Sequence, residues 1–406
     1  MKLFNLQLQK NIKIGAGNYT RLVCNVTTSF SDVEELYFYV DNEYADWLTP
    51  DVYDAFLVAS IYPAMFYNES IEIEGNVSKK LYHNITNYVQ AIVRDFAPAT
   101  HKPVEIQVNG FADAAKNDIL HIGTGFSGGI DSFSTMMDRF VSTDDPDYKV
   151  DTLFFFHLGQ YGNVDDPISW ERANNRFQIT KDFANKIGVK AVMLNTNLFD
   201  LYKPDWEYRA GVLNRIAAVL IFQRALKRYY ISNAYTYGEM LDLAHDRVLL
   251  EEFSDPYIMP LLSPIGLDII CDGCQYRRTG KTERIKDYSL AHQYLNVCIN
   301  STNGKVDAIN CSECPKCMRT MMALDSIGVL EKFSAVFDIK KYHKHVFGYK
   351  CRQIWLYKTD GFARDNVDFA REHNKSVPSK PIAYIYVFMS RSIGFAKRIM
   401  LKFLKK

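Results

Sequence analysis

Four cysteines in the second half of the chain have the spacing of a metal site. Three follow each other as C-x2-C-x2-C, and a fourth lies thirteen residues upstream; they are Cys298, Cys311, Cys314 and Cys317. Four thiolates with this spacing can close a tetrahedral Zn²⁺ site. Buried free cysteines that pack as small hydrophobes are the alternative, but three within seven residues favour a metal centre.

A second pair, Cys271 and Cys274, leaves the ligand set open. The segment Cys-Asp-Gly-Cys can supply two ligands in place of Cys298 and another cysteine. It can also form a redox pair for sulfur transfer. Six of the eight cysteines fall within 47 positions, and in a reducing compartment such clustering favours metal or redox chemistry over disulfides.

A glycine-rich loop has the composition of a phosphate-binding site. It lies between a strand-like run at 121–126 and a helix-like run at 133–143, and it reads Ser127, Gly128, Gly129, Ile130, Asp131 and Ser132. The glycines allow tight turns and close approach of an anion, which the N–H groups at a helix start attract. The serines add hydroxyl donors, and Asp131 suggests a Mg²⁺ that bridges its carboxylate to phosphate oxygens. An ordinary strand-to-helix turn is the alternative, but the full pattern in this context favours the phosphate site.

The segments around this loop alternate between strand and helix patterns. Apolar strands are predicted at 121–126, 151–159, 190–197 and 229–237, with helices at 133–143, 170–188 and 207–229. This order predicts an α/β fold with a mainly parallel sheet covered on both faces, which binds ligands at the carboxyl ends of its strands. Residues 1–117 mix strand and helix patterns differently and predict a separate N-terminal α+β domain.

Composition excludes several classes of protein. The 406 residues include 48 Lys and Arg against 47 Asp and Glu, and 48% are hydrophobic, which excludes a disordered or collagen-like chain. The balanced charge does not favour nucleic acid as a partner. Neither a secretory signal nor a run of ~18 apolar residues is visible, which favours a cytoplasmic location.

The C-terminal tail carries its own charge pattern. Residues 380–406 contain seven basic residues and no acidic ones, and Ile393, Ala396, Met400 and Phe403 recur at helical spacing. A terminal helix docked on the body is the favoured interpretation. A basic amphipathic helix on the inner membrane surface is the alternative.

The glycine loop resembles the SGGxDS signature of the PP-loop (N-type) ATP pyrophosphatases. It is not a Walker A motif, because Gly280-Lys281-Thr282 has Gln275 where that motif needs its first glycine. The resemblance implies an adenine nucleotide alpha hydrolase-like fold that binds ATP and Mg²⁺. It also implies a reaction in which the loop holds the leaving pyrophosphate while a substrate oxygen attacks the α-phosphorus.

Within that superfamily, residues 118–325 resemble the 7-cyano-7-deazaguanine synthases. Those enzymes carry one cysteine, then a C-x2-C-x2-C run followed closely by Arg, which here is Arg319. The resemblance implies that Cys298 and the later three cysteines bind a structural zinc, with a longer insertion at 299–310. It also implies that Lys281, in a K-x-x-I segment, contacts phosphate and that Arg215 reaches the phosphates or the substrate.

These observations predict four segments and one activity. The segments are an N-terminal domain (1–117), an ATP-binding domain (118–297), a zinc-binding segment with its helix (298–350) and a basic helical tail (351–406). The predicted activity is an AMP-forming ligase or amidotransferase that activates a small-molecule carboxylate or carbonyl. No glutaminase is predicted within the chain, because Cys24 lies in a strand-like run with no glutaminase signature around it. The attacking ammonia is therefore expected to be free or to come from a partner subunit. ATP-dependent sulfur transfer to RNA and a nucleotide sensor without turnover are the alternatives.

Overall fold

A computed structural model describes residues 1–14, 17–162, 166–202, 211–245, 254–298 and 309–403. The side chains of 243–245, 391 and 393–403 are outside that description. The chain forms two compact units. Unit 1 comprises Met1–Ser127 and Thr135–Gln275, and unit 2 comprises Gly128–Ser134 and Tyr276–Lys406.

Unit 1 is built on a ten-stranded sheet in the order β10-β9-β6-β7-β8-β3-β2-β1-β4-β5. Neighbours from β10 to β8 pair in parallel, as do β1 with β4 and β4 with β5, whereas β8-β3, β3-β2 and β2-β1 pair antiparallel. The α/β class with a mostly parallel sheet is therefore confirmed. The strands are β1 (Lys2–Ile14), β2 (Gly17–Thr27), β3 (Glu35–Asp41), β4 (Ile71–Val77), β5 (Ile106–Phe111), β6 (His121–Gly125), β7 (Thr152–His157), β8 (Lys190–Thr196), β9 (Leu226–Ser232) and β10 (Asp268–Asp272).

Helices cover both faces of this sheet. The helices that precede the last strand in the chain are α1 (Asp54–Tyr67), α2 (Lys79–Asn84), α3 (Gln90–Phe96), α4 (Ile130–Met136), α5 (Pro167–Ile187), α6 (Gly211–Leu220), α7 (Tyr237–His245) and α8 (Asp255–Leu261); of these, α4 belongs to unit 2 up to Ser134. Phe154 and Leu194 join the main core with α1 and α6, whereas their neighbours Phe155 and Met193 pack against Ala173 of α5. Because successive residues of a strand point to opposite faces of the sheet, α1 and α6 lie on one face and α5 lies on the other.

The N-terminal strands do not form a sheet of their own. Phe38 in β3 pairs with Thr196 in β8, which makes the first five strands part of the same sheet as the α/β strands. Alternating patterns identify strands but not their partners, and the backbone groups of a strand edge can be satisfied by any neighbouring strand.

The predicted helix at 207–229 also differs, because the described helix ends at Leu220 and the chain is extended again from Leu226.

Unit 2 is helical and includes the residues of the glycine loop from Gly128 onward. Its helices are α9 (Arg278–Arg284), α10 (Ala291–Tyr294), α11 (Pro315–Ser326), α12 (Ile339–Leu356), α13 (Gly361–Glu372) and α14 (Lys380–Phe403). The predicted insertion at 299–310 lies outside the described residues up to position 308. Among the described helices, none is both long enough and apolar enough to cross a membrane.

Candidate functional site

The backbone of the glycine loop favours glycine at position 128. Gly128 has φ +75°, and a Cβ there would lie 3.2 Å from the carbonyl oxygen of Tyr294 and from Cβ of Asn296. The Asn296 N–H donates to the Gly128 carbonyl at 2.6 Å, and Ser132 Oγ donates to the Gly129 carbonyl at 2.9 Å. These contacts fix the loop from within unit 2. Ser127, the preceding residue, is exposed and belongs to unit 1.

Two cations from one helix contact the carboxylate of this loop. Arg278 donates through Nη1 to Asp131 Oδ2, and Lys281 Nζ lies 3.5 Å from Asp131 Oδ1. The two cations are three residues apart in α9, so they share one face of the helix. The Lys281 side chain is fully buried, and those of Asp131 and Arg278 are largely buried.

A third cation adds to the positive charge around Asp131. Arg319 of α11 stacks on the Phe362 ring with its guanidinium carbon 4.0 Å from the centroid, and Arg278 lies 5.9 Å from the same centroid. Within the described residues, Arg319 forms no ion pair with a carboxylate. Burial and then the nearby charge of Arg278 lower the pKa of Arg319. We call Arg278, Lys281 and Arg319 the cation cluster; among the described residues, its three cations outnumber the one carboxylate, Asp131, that Arg278 and Lys281 share, and we refer to this as its surplus of cations.

An amide beside the loop has unsatisfied hydrogen-bonding groups. Asn296 is 3% exposed, and among the described residues neither its side-chain oxygen nor its side-chain nitrogen has a hydrogen-bond partner. Leaving such groups buried without partners costs about 1–3 kcal/mol each. Together with the surplus charge, this arrangement fits an anionic group with several oxygens.

Contacts from α13 hold the start of α9 in place. The Asp365 carboxylate accepts bonds from the Thr279 N–H at 2.9 Å and from the Thr279 hydroxyl at 2.8 Å. Arg277 pairs with Glu372 at 2.9 Å. Because Thr279 lies between Arg278 and Lys281, these bonds fix the backbone that carries both cations.

The four cysteines predicted as metal ligands come together in unit 2. Their sulfur atoms all lie within 4.8 Å of one another, and all four residues are buried. Tetrahedral coordination at ~2.3 Å from zinc places sulfur atoms roughly 3.8 Å apart, and the Cys311–Cys317 distance is 3.9 Å. Backbone N–H groups of Cys311, Cys314 and Cys317 donate to cysteine sulfurs at 3.3–3.5 Å, as expected around thiolates. This cysteine cluster can hold a metal ion, and the all-sulfur donor set fits zinc.

The cysteine cluster also positions a member of the cation cluster. Cys314 caps the N-terminus of α11, and Cys317 lies in its first turn, only two residues before Arg319. A metal held by these thiols therefore fixes the helix end from which Arg319 extends. Cys271 and Cys274 are not part of this ligand group.

The remaining predicted residues lie in unit 1. Arg215 Nη2 contacts both oxygens of the fully buried Asp255 at 3.1 Å, and Asn233 donates to the same carboxylate at 3.0 Å. Within unit 1, Arg215 thus forms part of an ion pair with a buried carboxylate.

The thiols of unit 1 fall into two environments. Cys271 and Cys274 face each other with their sulfurs 3.2 Å apart, and the hydrogen bond to Cys274, followed by burial, raises the pKa of Cys271. Cys24 is buried in β2, where desolvation raises its pKa to about 12. Burial therefore disfavours the thiolate form of Cys24, which is the form that acts as a nucleophile.

Two residues of this site were not predicted from the sequence. Arg278 precedes Lys281 by one helical turn, and this i, i+3 spacing of two cations is a signal that sequence analysis can use. Asn296 carries no such signal, because only its burial beside Gly128 distinguishes it from other asparagines.

Comparison of the chain with protein-family models, with curated proteins and with solved structures finds no match.

Proposed function

We propose that this protein is an ATP-dependent, AMP-forming ligase of the PP-loop type. The observation that carries the proposal is the convergence of Arg278 and Lys281 on Asp131 of a Ser-Gly-Gly-x-Asp-Ser loop, with Arg319 nearby. A polyphosphate is the ligand whose charge and oxygens match this surplus of cations. The side-chain amide of Asn296, which has no hydrogen-bond partner among the described residues, provides a further donor group and an acceptor.

In the proposed reaction, a carboxylate or carbonyl oxygen of a small molecule attacks the α-phosphorus of ATP. The new oxygen–phosphorus bond forms as the bond to pyrophosphate breaks, and negative charge accumulates on the leaving group. Arg278, Lys281 and Arg319 stabilise this charge because they are already oriented. Ammonia then forms a carbon–nitrogen bond, AMP leaves with the carbon–oxygen electrons, and the nitrogen loses a proton.

Asp131 acts as the residue that positions two cations. Its carboxylate orders Arg278 and Lys281, which would otherwise repel each other. The surroundings of Asp131 favour an anion, so Mg²⁺ enters the proposal as the counter-ion of the ATP phosphates, with no ligand assigned from this chain. Zinc enters as a structural ion of the cysteine cluster.

The test is the identity of the products. The purified protein is incubated with Mg-ATP, ammonium and a pooled extract of small metabolites, and AMP, ADP and pyrophosphate are measured. Asp131→Asn serves as the inactive variant, and Asp144→Asn, a change to a fully exposed carboxylate, serves as the matched control.

We expect AMP and pyrophosphate from the wild type and the control, and a fall of at least about 100-fold in Asp131→Asn. Formation of ADP and phosphate contradicts the proposal. Binding of ATP without turnover under all conditions favours a nucleotide sensor.

Sulfur transfer is the second candidate, because the sulfurs of Cys271 and Cys274 are 3.2 Å apart. The raised pKa of Cys271 disfavours its thiolate, which is the form that attacks. The variant Cys271→Ser/Cys274→Ser separates the two activities. Ammonium-dependent AMP formation persists in it if the protein is a ligase, whereas a sulfide-dependent product is lost if it is a sulfur transferase.

A further inference from the structure

The first half of α14 exposes an unusual number of large apolar side chains. Ile382, Ile385, Phe388 and Met389 are each more than half exposed, and Phe388 reaches 71%. Ile382, Ile385 and Met389 are spaced i, i+3 and i+7, so they lie along one side of the helix. Exposed apolar patches of this kind mark interaction sites in folded proteins.

Among the described side chains of α14, only a narrow strip is covered by the rest of unit 2. Ala383 and Val387 are buried against Cys351 and Ile354 of α12. The Tyr386 ring makes an edge contact with Phe347 of α12 at 5.5 Å, and Phe347 is itself exposed. The apolar surface therefore continues from α14 onto α12, and α12 holds α14 without covering it.

The charges of these two helices are of one sign. Each contains five Lys or Arg residues, and neither contains Asp or Glu. Acidic residues of this region lie in the intervening α13, which carries Asp365, Asp368 and Glu372, and at Asp338, which caps the start of α12. Lys340 and Lys344 of α12 are exposed and give the apolar surface a positive border.

We propose that α14 and α12 form a surface that binds anionic lipid membranes from one side. Apolar and aromatic side chains beside lysines match the interface of a bilayer, where acyl chains meet negative headgroups. A helix of 24 residues is roughly 36 Å long and can lie flat in that interface. Two copies of this surface would bring like charges together, so electrostatics opposes self-association through it.

Vesicle co-sedimentation of the full chain tests the proposal. One set of vesicles contains phosphatidylcholine alone, and the other also contains phosphatidylglycerol. We expect the wild type to bind only the anionic vesicles and to be released by high salt.

Two variants and one control separate the apolar contribution to vesicle binding from the electrostatic one. Ile385→Ser/Phe388→Ser removes exposed apolar surface, and we expect its binding to fall at least about tenfold. Lys340→Glu/Lys344→Glu reverses the charge near the start of α12. Acidic residues are favourable at the start of a helix, so we expect this variant to keep the helix and to bind anionic vesicles more weakly. The control is Ile119→Ser/Ile265→Ser, which changes unit 1 residues that are 71% and 59% exposed, and it binds as the wild type does.

Three results overturn the proposal. One is the absence of binding to anionic vesicles, and another is equal binding by Ile385→Ser/Phe388→Ser and the wild type. The third is a light-scattering measurement without lipid in which the wild type is a dimer and Ile385→Ser/Phe388→Ser is a monomer, while the wild type does not bind vesicles. That result would mean that the surface binds a second copy of the chain.

Discussion

Two carboxylates, one in each unit, are paired with arginine in opposite ways. In unit 1, the fully buried Asp255 faces one cation, Arg215, and accepts a further bond from Asn233. In unit 2, Asp131 faces Arg278 and Lys281, with Arg319 close enough to influence the same electrostatic balance. Among the described residues, the first site pairs one cation with one carboxylate, and in the second the cations outnumber the carboxylate that they contact.

This difference is the reason why we propose a ligand site in unit 2 and a stabilising ion pair in unit 1. A balanced and buried pair has no need of a further ion, and removal of either partner leaves an unpaired charge in the interior. A cluster in which cations outnumber carboxylates favours the binding of an anion. The sequence treats Arg215 and Lys281 as equal candidates, and the structure assigns them these different surroundings.

Loss of the metal site is the largest effect that we expect, and it concerns unit 2 alone. Cys317→Ser removes one of four ligands, and structural zinc contributes about 10–16 kcal/mol of binding free energy in small domains. We expect loss of bound zinc, a lower melting temperature and weaker nucleotide binding, since Arg319 extends from the same helix end. Metal analysis and thermal unfolding measure this, and Cys351→Ser, a change to a buried cysteine of α12 outside the cluster, is the matched control.

Breaking the balanced pair is expected to lower stability. Arg215→Met leaves the Asp255 carboxylate buried without its cation, at a cost of about 3–5 kcal/mol in the free energy of unfolding. Arg215→Met/Asp255→Asn restores most of it, and urea unfolding of both variants measures the difference. If the double variant is stable but its kcat/KM is still reduced, Arg215 acts on the ligand, and its assignment to a purely stabilising ion pair is wrong.

Removing a cation from the surplus cluster is expected to affect binding more than stability. Lys281→Met should weaken pyrophosphate binding by about 10- to 100-fold, since a hydrogen bond to a charged group contributes about 1.5–3 kcal/mol. Calorimetric titration measures the affinity. Lys332→Met, which removes an exposed cation from its pair with Asp287, is the control and should bind as the wild type does. Equal affinities for Lys281→Met and the wild type would mean that the surplus charge does not serve an anion.

Replacing Phe362, the ring on which Arg319 of the cation cluster stacks, is expected to give the smallest change in pyrophosphate affinity. Phe362→Leu keeps the volume apolar but removes the ring under Arg319, which is worth about 0.5–2 kcal/mol. We expect pyrophosphate affinity to fall about two- to tenfold. Phe369→Leu, on the same helix and buried, tests whether loss of packing alone has this effect.

Sequence patterns located most secondary structure but not all of its partners. The predicted strand at 190–197 corresponds to β8, and the predicted helix at 170–188 to α5, which stops at Gly188 in the left-handed conformation. These elements follow from local periodicity and from a glycine stop. The joining of β3 to β8 depends on strands separated by some 150 positions, which no local pattern encodes.

The C-x2-C-x2-C run, the glycine loop and the α/β alternation around it could be predicted from the sequence, because each depends on residue type at short spacing. Packing of distant segments decides which cations face Asp131, and it buries the side-chain amide of Asn296 beside Gly128 with no hydrogen-bond partner among the described residues. It also decided that Arg215 belongs to a balanced pair. The physical reason is that charge surplus and desolvation are properties of a neighbourhood, and a neighbourhood exists only once distant segments have packed together.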